Sequence, residues 1–336
     1  MLTMPDPRHA TLHRRALLAS ALMAGPAFVP GLAHAQGQGF PNRSLRLIVP
    51  FPPAGAADVM SRVVAEAARA AFGQNVVVEN RSGGGGTIGT ETVMRSAPDG
   101  YTVLMGNQST HSINPEIREN PGLDPATMVP VASVGNVAQV LYVRPSLAAR
   151  SVPELIALAK ARPAQLTYGT AGIGTGGHLA MMLLEAHAGI ELNHIPFRGT
   201  APATAAVLAG QIDMMIDTMP TALPHIQNDA VRALAVTTTT RHARLPQVPS
   251  LTESGFNDYE AVLYYALFAP PGTPDAIAAR LGEGFEATVA QPAVATRLNE
   301  MGCDPLPVAR ADLAAHVAAD RARWGAVIRR AGIRIT

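Results

Sequence analysis

Leu45-Arg46-Leu47-Ile48-Val49-Pro50-Phe51-Pro52-Pro53-Ala54-Gly55-Ala56-Ala57-Asp58 sets the reading of the whole chain. Its opening residues are apolar and often branched, and prolines close them off, the pattern of a buried strand. Small residues follow. Asp58 then stands where a carboxylate can cap or complement the first turn of a helix. That helix runs to about Phe72, with Val59, Val63, Ala67 and Ala70 along an apolar stripe and Arg62, Glu66 and Arg69 opposite. Residues 76–79 read as a second strand, about 88–96 as a helix, and 101–105 as a third strand. Strand and helix alternating in this way imply an α/β fold with parallel strands and helices on both faces.

Further along, residues 129–143 hold two strand-like runs separated near Gly135. The alternation then restarts. Helices are predicted over 154–161, 178–188 and 201–209, and strands over 166–169, 194–197, 213–217 and 231–237. Residues 241–258 are rich in turn formers, and 264–269 read as another strand. Two long helical patterns, 274–290 and 309–331, finish the chain, the last with Leu313, Val317, Trp324 and Ile328 on one side. Two α/β units of similar size with helices left over suggest that the chain returns to its first domain.

Composition narrows the class. Of 336 residues, 48% are hydrophobic, which excludes a disordered chain. The balance of 26 basic against 25 acidic residues argues against non-specific nucleic-acid binding. A single cysteine, Cys303, excludes an intrachain disulfide and a multi-cysteine metal cluster. Residues 1–35 read as an export label: a basic region, an apolar stretch broken by glycine and proline, and Ala33-His34-Ala35 before the cut. Arg14-Arg15 fits a twin-arginine signal, with Sec export the other route. Removing the label takes away three arginines and one aspartate, so the remainder has a formal charge of −1.

Several motifs resemble one family. Leu47-Ile48-Val49-Pro50-Phe51-Pro52-Pro53-Ala54-Gly55 with Asp58, Val76-Val77-Val78-Glu79-Asn80-Arg81 before a glycine run, and Pro98-Asp99-Gly100-Tyr101 carry the likeness. Gly174-Thr175-Gly176-Gly177-His178-Leu179, His194-Ile195-Pro196-Phe197-Arg198-Gly199, Leu245-Pro246-Gln247-Val248-Pro249 and Ala269-Pro270-Pro271-Gly272-Thr273-Pro274 continue it in order. Together they resemble the Bug/TctC family of periplasmic solute receptors. The resemblance implies a two-lobed, type II-like periplasmic binding protein: each lobe a mostly parallel sheet flanked by helices, with the ligand in the cleft between them. It also implies small carboxylate ligands and, for many members, a tripartite tricarboxylate transporter as partner. On this reading residues 36–138 and 264–336 form one lobe and 139–263 the other, with hinges near 137–140 and 262–266. The sequence departs from the family at Ala54, usually a second glycine; at Tyr264, usually tryptophan; at Ala266, usually glycine; and at Phe197-Arg198, commonly Tyr-Lys.

Helix starts carry free N–H groups and partial positive charge, so they bind anions without a cationic side chain. In open α/β sheets such sites lie at the carboxyl ends of strands. Ala54, Gly55 and Ala56 occupy one strand–helix junction, with Asp58 as cap or loop organiser rather than an anion contact. Thr170, Gly174, Thr175 and His178 occupy a second, and Arg198, Gly199 and Thr200 a third, where a guanidinium could fork onto a carboxylate. Gly106, Asn107 and Ser109 end the third strand, and Asp217 ends another. Each has a bland alternative: a tight turn, a core histidine, a solvated arginine or a polar loop.

Other chemistries lack signals. The glycine patterns at 84–89 and 172–177 sit between strand and helix, but free dinucleotides are not expected outside the cytoplasm, and no cofactor is expected. No Gly-x-Ser-x-Gly elbow or His-Glu-x-x-His helix is present, His178 and His187 are poorly spaced for one metal, and Cys303 reads as inert. Together with these absences, the resemblance implies a monomeric, non-enzymatic receptor for a small organic acid, serving membrane transporter subunits or a sensor. The alternatives are an exported enzyme or a sensory adaptor acting on a similar acid.

Overall fold

The computed structural model describes residues 39–118 and 122–330, so the export label lies outside the described residues. In chain order the first elements are β1 (Leu45–Val49), α1 (Ala56–Phe72), β2 (Val76–Asn80), α2 (Thr87–Met94), β3 (Thr102–Asn107), the short α3 (Asn114–Ile117) and β4 (Val129–Val137). Next come β5 (Gln139–Val143), α4 (Val152–Ala161), β6 (Thr167–Thr170), α5 (Gly176–Ala188), β7 (Asn193–Pro196), α6 (Thr200–Leu208), β8 (Met214–Thr218), α7 (Met219–Gln227) and β9 (Arg232–Val236). After a long turn-rich stretch follow β10 (Leu263–Ala269), α8 (Asp275–Val289), α9 (Pro292–Glu300), β11 (Cys303–Asp304) and α10 (Arg310–Arg330).

The strands form two sheets, ordered β11-β4-β10-β3-β1-β2 and β7-β6-β8-β5-β9. In the first, β1, β2, β3 and β4 run one way while β10 and β11 oppose them. In the second, only β5 opposes the other four strands. The α/β expectation of mostly parallel sheets holds, and the exceptions are instructive. β5 and β10 are the strands the chain enters directly after passing from one sheet to the other. Each crossing strand lies inside its new sheet, between strands that run against it.

Four details differ from expectation. The break within residues 129–143 falls at Ala138, not at Gly135. Gly135 lies inside β4, at a point where any side chain would collide with the Cys303 thiol of β11. The stripe of α1 is rotated: Met60, Val63, Val64 and Ala68 are buried, while Ala70 is exposed. Residues 109–117 form a wide π-type turn and α3 rather than a polar loop. Finally, α7 and α9 are present where no helix was anticipated. Pro220 and Pro292 sit in their first turns, where a missing N–H removes no intrahelical bond, and α7 also tolerates Pro224 inside.

The buried face of α1 packs on α8, where the Phe72 and Phe285 rings meet edge to face with centroids 4.9 Å apart. Each such ring contributes about 2–3 kcal/mol by its burial. Leu313, Val317, Trp324 and Ile328 of α10 are all buried. Leu313 and Val317 pack against Ile48, Leu104 and Phe268 of the first sheet. Trp324 and Ile328 reach a cluster containing Leu141, Leu179 and Ile216 of the second-sheet half.

Candidate functional site

The carboxyl ends of β1, β3, β6 and β8 converge with the starts of β5 and β10. The loop after β1 is shaped by a single carboxylate. Asp58, buried in the first turn of α1, accepts the Ala54 N–H at 3.0 Å, two Arg62 donors at 2.9 and 3.1 Å, and Asn80 Nδ2 at 2.9 Å. Burial pushes this carboxyl up, but the bonds from Arg62, Ala54 and Asn80 outweigh it and hold Asp58 below its ordinary range. Asn80 also donates to the Phe51 carbonyl at 3.0 Å. Ala54 is thereby held in the left-handed region, with φ of 64°.

The consequence is an α1 that begins at Gly55 with no side-chain cap. Thr175 is the N-cap of α5 and Gly199 that of α6, again without side-chain capping bonds. First-turn N–H groups have no intrahelical acceptor, so these three starts present donors and partial positive charge. They face one another across a cleft: a Cβ built on Gly55 would lie 4.0 Å from the Thr200 hydroxyl. At α5, the Gly176 N–H reaches across to Ser109 Oγ at 3.0 Å. At the mouth, a Cβ on Gly199 would sit 2.8 Å from Pro52 Cγ, so only glycine allows this approach.

The cleft encloses about 550 Å³, part of it open to solvent. Its floor carries two oriented acceptors. Gln139 donates Nε2 to the Ala261 carbonyl at 3.1 Å, which turns Oε1 the other way. That oxygen is buried, has no partner among the described residues, and lies 3.6 Å from where a Cβ on Gly177 would sit. Asp217 is buried; it accepts the Thr218 N–H at 2.7 Å and the Thr221 hydroxyl at 2.6 Å. Burial raises its carboxyl to about 6, against the opposing pull of those bonds. Among the described residues that line the cleft there is no arginine, lysine or histidine.

Of the residues singled out in sequence, Gly55, Ala56, Asn107, Ser109, Thr175, Gly199, Thr200 and Asp217 come together on this cleft. Ala54, Asp58, Gly106, Thr170, Gly174, His178 and Arg198 are not part of its lining. Gly106 is packed against the stacked rings of His111 and Phe268, and Gly174 against Asn114 and Ile117. Thr170 bonds the His194 ring at 2.7 Å. His178 stacks on that same ring at 4.4 Å, and its Nδ1 accepts the Gly174 N–H at 3.4 Å. Burial, with His194 alongside, lowers His178 to about 4, so it is a neutral loop-holding group. Arg198 is exposed in an outer groove.

Sequence reasoning missed Phe51, Pro52, Gln139, Gly177, Thr218 and Tyr265, which also line the cleft. Gln139 and Tyr265 lie in the crossing strands, within the stretches read as hinges, so their position carried a signal that went unused. Tyr264, at the departure from the family pattern, instead points to Ser112, 3.1 Å from its hydroxyl.

The chain resembles the periplasmic binding protein BugD, with 33% identity and a TM-score of 0.84 over 88% of this chain and 99% of BugD. An R. palustris protein solved with adipate is 34% identical, with a TM-score of 0.85 over 88% of this chain and 99% of that one. MatC from Rhodopseudomonas palustris, solved with bound malate, is 29% identical, with a TM-score of 0.82 over 86% and 100%. The model of the tripartite tricarboxylate transporter family receptor, TctC, matches residues 60–333. A match over most of the chain, joined to likeness along nearly the full length of solved receptors, places this protein in the Bug/TctC family of tripartite tricarboxylate transporter receptors.

Proposed function

We propose that the protein is an extracytoplasmic receptor that closes on a small organic carboxylate and delivers it to a tripartite tricarboxylate transporter. One observation carries this reading: three uncapped helix starts, α1 from the first-sheet half and α5 and α6 from the second, meet at one cleft lined without cationic side chains. Backbone dipoles therefore do the work that net charge cannot. A hydrogen bond to a charged group contributes about 1.5–3 kcal/mol, and a helix start about 0.3–1 kcal/mol more. Three or four such bonds reach the roughly 8 kcal/mol of micromolar binding. The adipate and malate held by family members are acids of this class. Residues 36–138 and 264–336 would form one lobe and 139–263 the other. They would move about the crossings near Ala138 and Leu263. The periplasmic description of BugD and the export label support a site outside the cytoplasm, by either the twin-arginine or the Sec route.

Native mass spectrometry of the purified protein, followed by calorimetry against a panel of organic acids, tests the proposal. A retained acid, or micromolar heat with at least one carboxylate, is the expected result. No retained acid and no heat across the panel would sink it.

A further inference from the structure

A second groove opens directly outside the cleft mouth and shares Phe51, Pro52, Ala171 and Gly199 with it. It is the larger of the two, about 1350 Å³ with its open side included. One bank is the glycine loop after β2, where Gly83, Gly84, Gly85 and Gly86 all have positive φ. Arg118 steadies that loop by donating to the Gly84 carbonyl at 2.6 Å. The other bank carries Phe197 and Arg198, with Ile173 42% exposed beside them. Among the described lining residues there are two arginines and no carboxylate. Arg198 is exposed and, among the described residues, has neither an ion pair nor a side-chain hydrogen bond. Most other exposed arginines are committed, such as Arg62 to Asp58, Arg241 to Glu253 and Arg329 to Glu116.

The charge logic of the two spaces differs. The inner cleft offers backbone donors and no cation; the outer groove offers guanidinium groups over an apolar floor of Phe51 and Phe197. Arg198 also directly precedes Gly199, the N-cap of α6 and one of the residues that the two spaces share.

We infer that the outer groove is a distal anion subsite, and that the receptor is built for an elongated dicarboxylate. One carboxylate sits on the helix starts, the apolar chain crosses Phe51, and the far carboxylate meets Arg198. This inference rests on the carboxylate-receptor reading and narrows it. Shorter diacids would leave Arg198 unused, and monoacids would fill the inner cleft only. The planar fork of arginine suits a carboxylate better than an ammonium does.

The test compares matched acids on the intact chain by calorimetry: succinate, glutarate, adipate and pimelate against butyrate, valerate, hexanoate and heptanoate. The ratio of monoacid to diacid dissociation constants is the readout. It should rise with chain length to about tenfold or more in the wild type, the scale of a charge-assisted pair. Arg198→Met should cut the longest-chain ratio to about threefold, and Arg198→Glu should invert it, so that the monoacid binds better. Arg150→Met, a distant exposed arginine, should leave it alone. Raising the salt should shrink the wild-type ratio, because an exposed pair is screened. A ratio near one in the wild type, or one indifferent to Arg198→Glu, overturns the distal subsite while leaving the receptor reading intact. Absence of binding by every acid overturns both.

Discussion

Asp217 is the residue whose chemistry is least expected in an anion cleft. Its carboxyl is buried beside Tyr142 and Tyr265, is bonded by Thr218 and Thr221, and has no cation against it among the described residues. Burial raises it to about 6 from an ordinary value of 3.8. Between those values the folded protein keeps a proton that the unfolded chain has lost. The unfolded state therefore binds fewer protons, and this group's contribution to stability falls as pH rises through the window, then stays flat above it. His178 and His194, both lowered to about 4, and His111, lowered to about 3, tilt stability the other way by resisting protonation when folded. The net wild-type slope therefore hides Asp217, and a difference exposes it. Urea unfolding of wild type and Asp217→Asn at pH 4.5 and 7.5 should show the variant gaining about 2 kcal/mol relative to wild type at the higher pH. The same variant should bind carboxylates more tightly at pH 7.5, since it removes a like charge from the cleft. A stability difference that does not change with pH would refute the buried-charge account.

At the scale of elements, the strand–loop–helix junction explains both what the sequence disclosed and what it hid. Junctions were legible because prolines and glycines punctuate them: Pro50 closes β1, Gly55 precedes α1, and Gly199 precedes α6 where a side chain would crowd Pro52 of the opposite half. Gln139 and Tyr265 were legible only as members of the hinge stretches, because sheet pairing, and not the local run, decides which neighbour each side chain meets. The break at Ala138 was hidden for the same reason, and α7 was hidden by its prolines. His178 stayed open between ligand contact and core histidine, because its place at a helix start says nothing of the ring stacked on it. The β1–α1 junction supplies a direct stability test. Ala54 holds φ of 64° only because Asp58 grips its N–H. A left-handed L-residue costs about 1–2 kcal/mol, whereas glycine there loses about 0.4–1 kcal/mol through extra freedom in the unfolded chain. Ala54→Gly should therefore stabilise the protein by about 0.5–1 kcal/mol, read as a shift in urea midpoint with unchanged slope. This is the residue its family usually carries there, and a loss of stability would show that the Ala54 methyl packs usefully.

Across the whole molecule, if the two halves close about the cleft as proposed, the contacts that join them there would set how readily it shuts. The Gly176 N–H to Ser109 Oγ bond is the most separable of these, because it links the turn after β3 to the start of α5 and uses only one side chain. If the halves part in the free protein, that bond exists only in the closed arrangement, so Ser109→Ala penalises closure by about 1 kcal/mol and leaves each half intact. Apparent affinity scales with the fraction of protein that is competent to bind, so the variant should bind its acid about fivefold more weakly. Scattering distinguishes this from a lost ligand contact. A compact chain of this length has a radius of gyration of about 20 Å, and ligand should lower the value measured for free wild type towards it. Free Ser109→Ala should be at least as expanded as free wild type, yet saturating ligand should bring both to the same radius, because binding still selects the closed state. If the variant loses affinity while its free and saturated radii both match wild type, Ser109 acts on the ligand directly and the bond to Gly176 does not govern closure. If ligand leaves the radius of wild type unchanged, the halves do not part at all, and the dipole-lined cleft must fill through its open mouth.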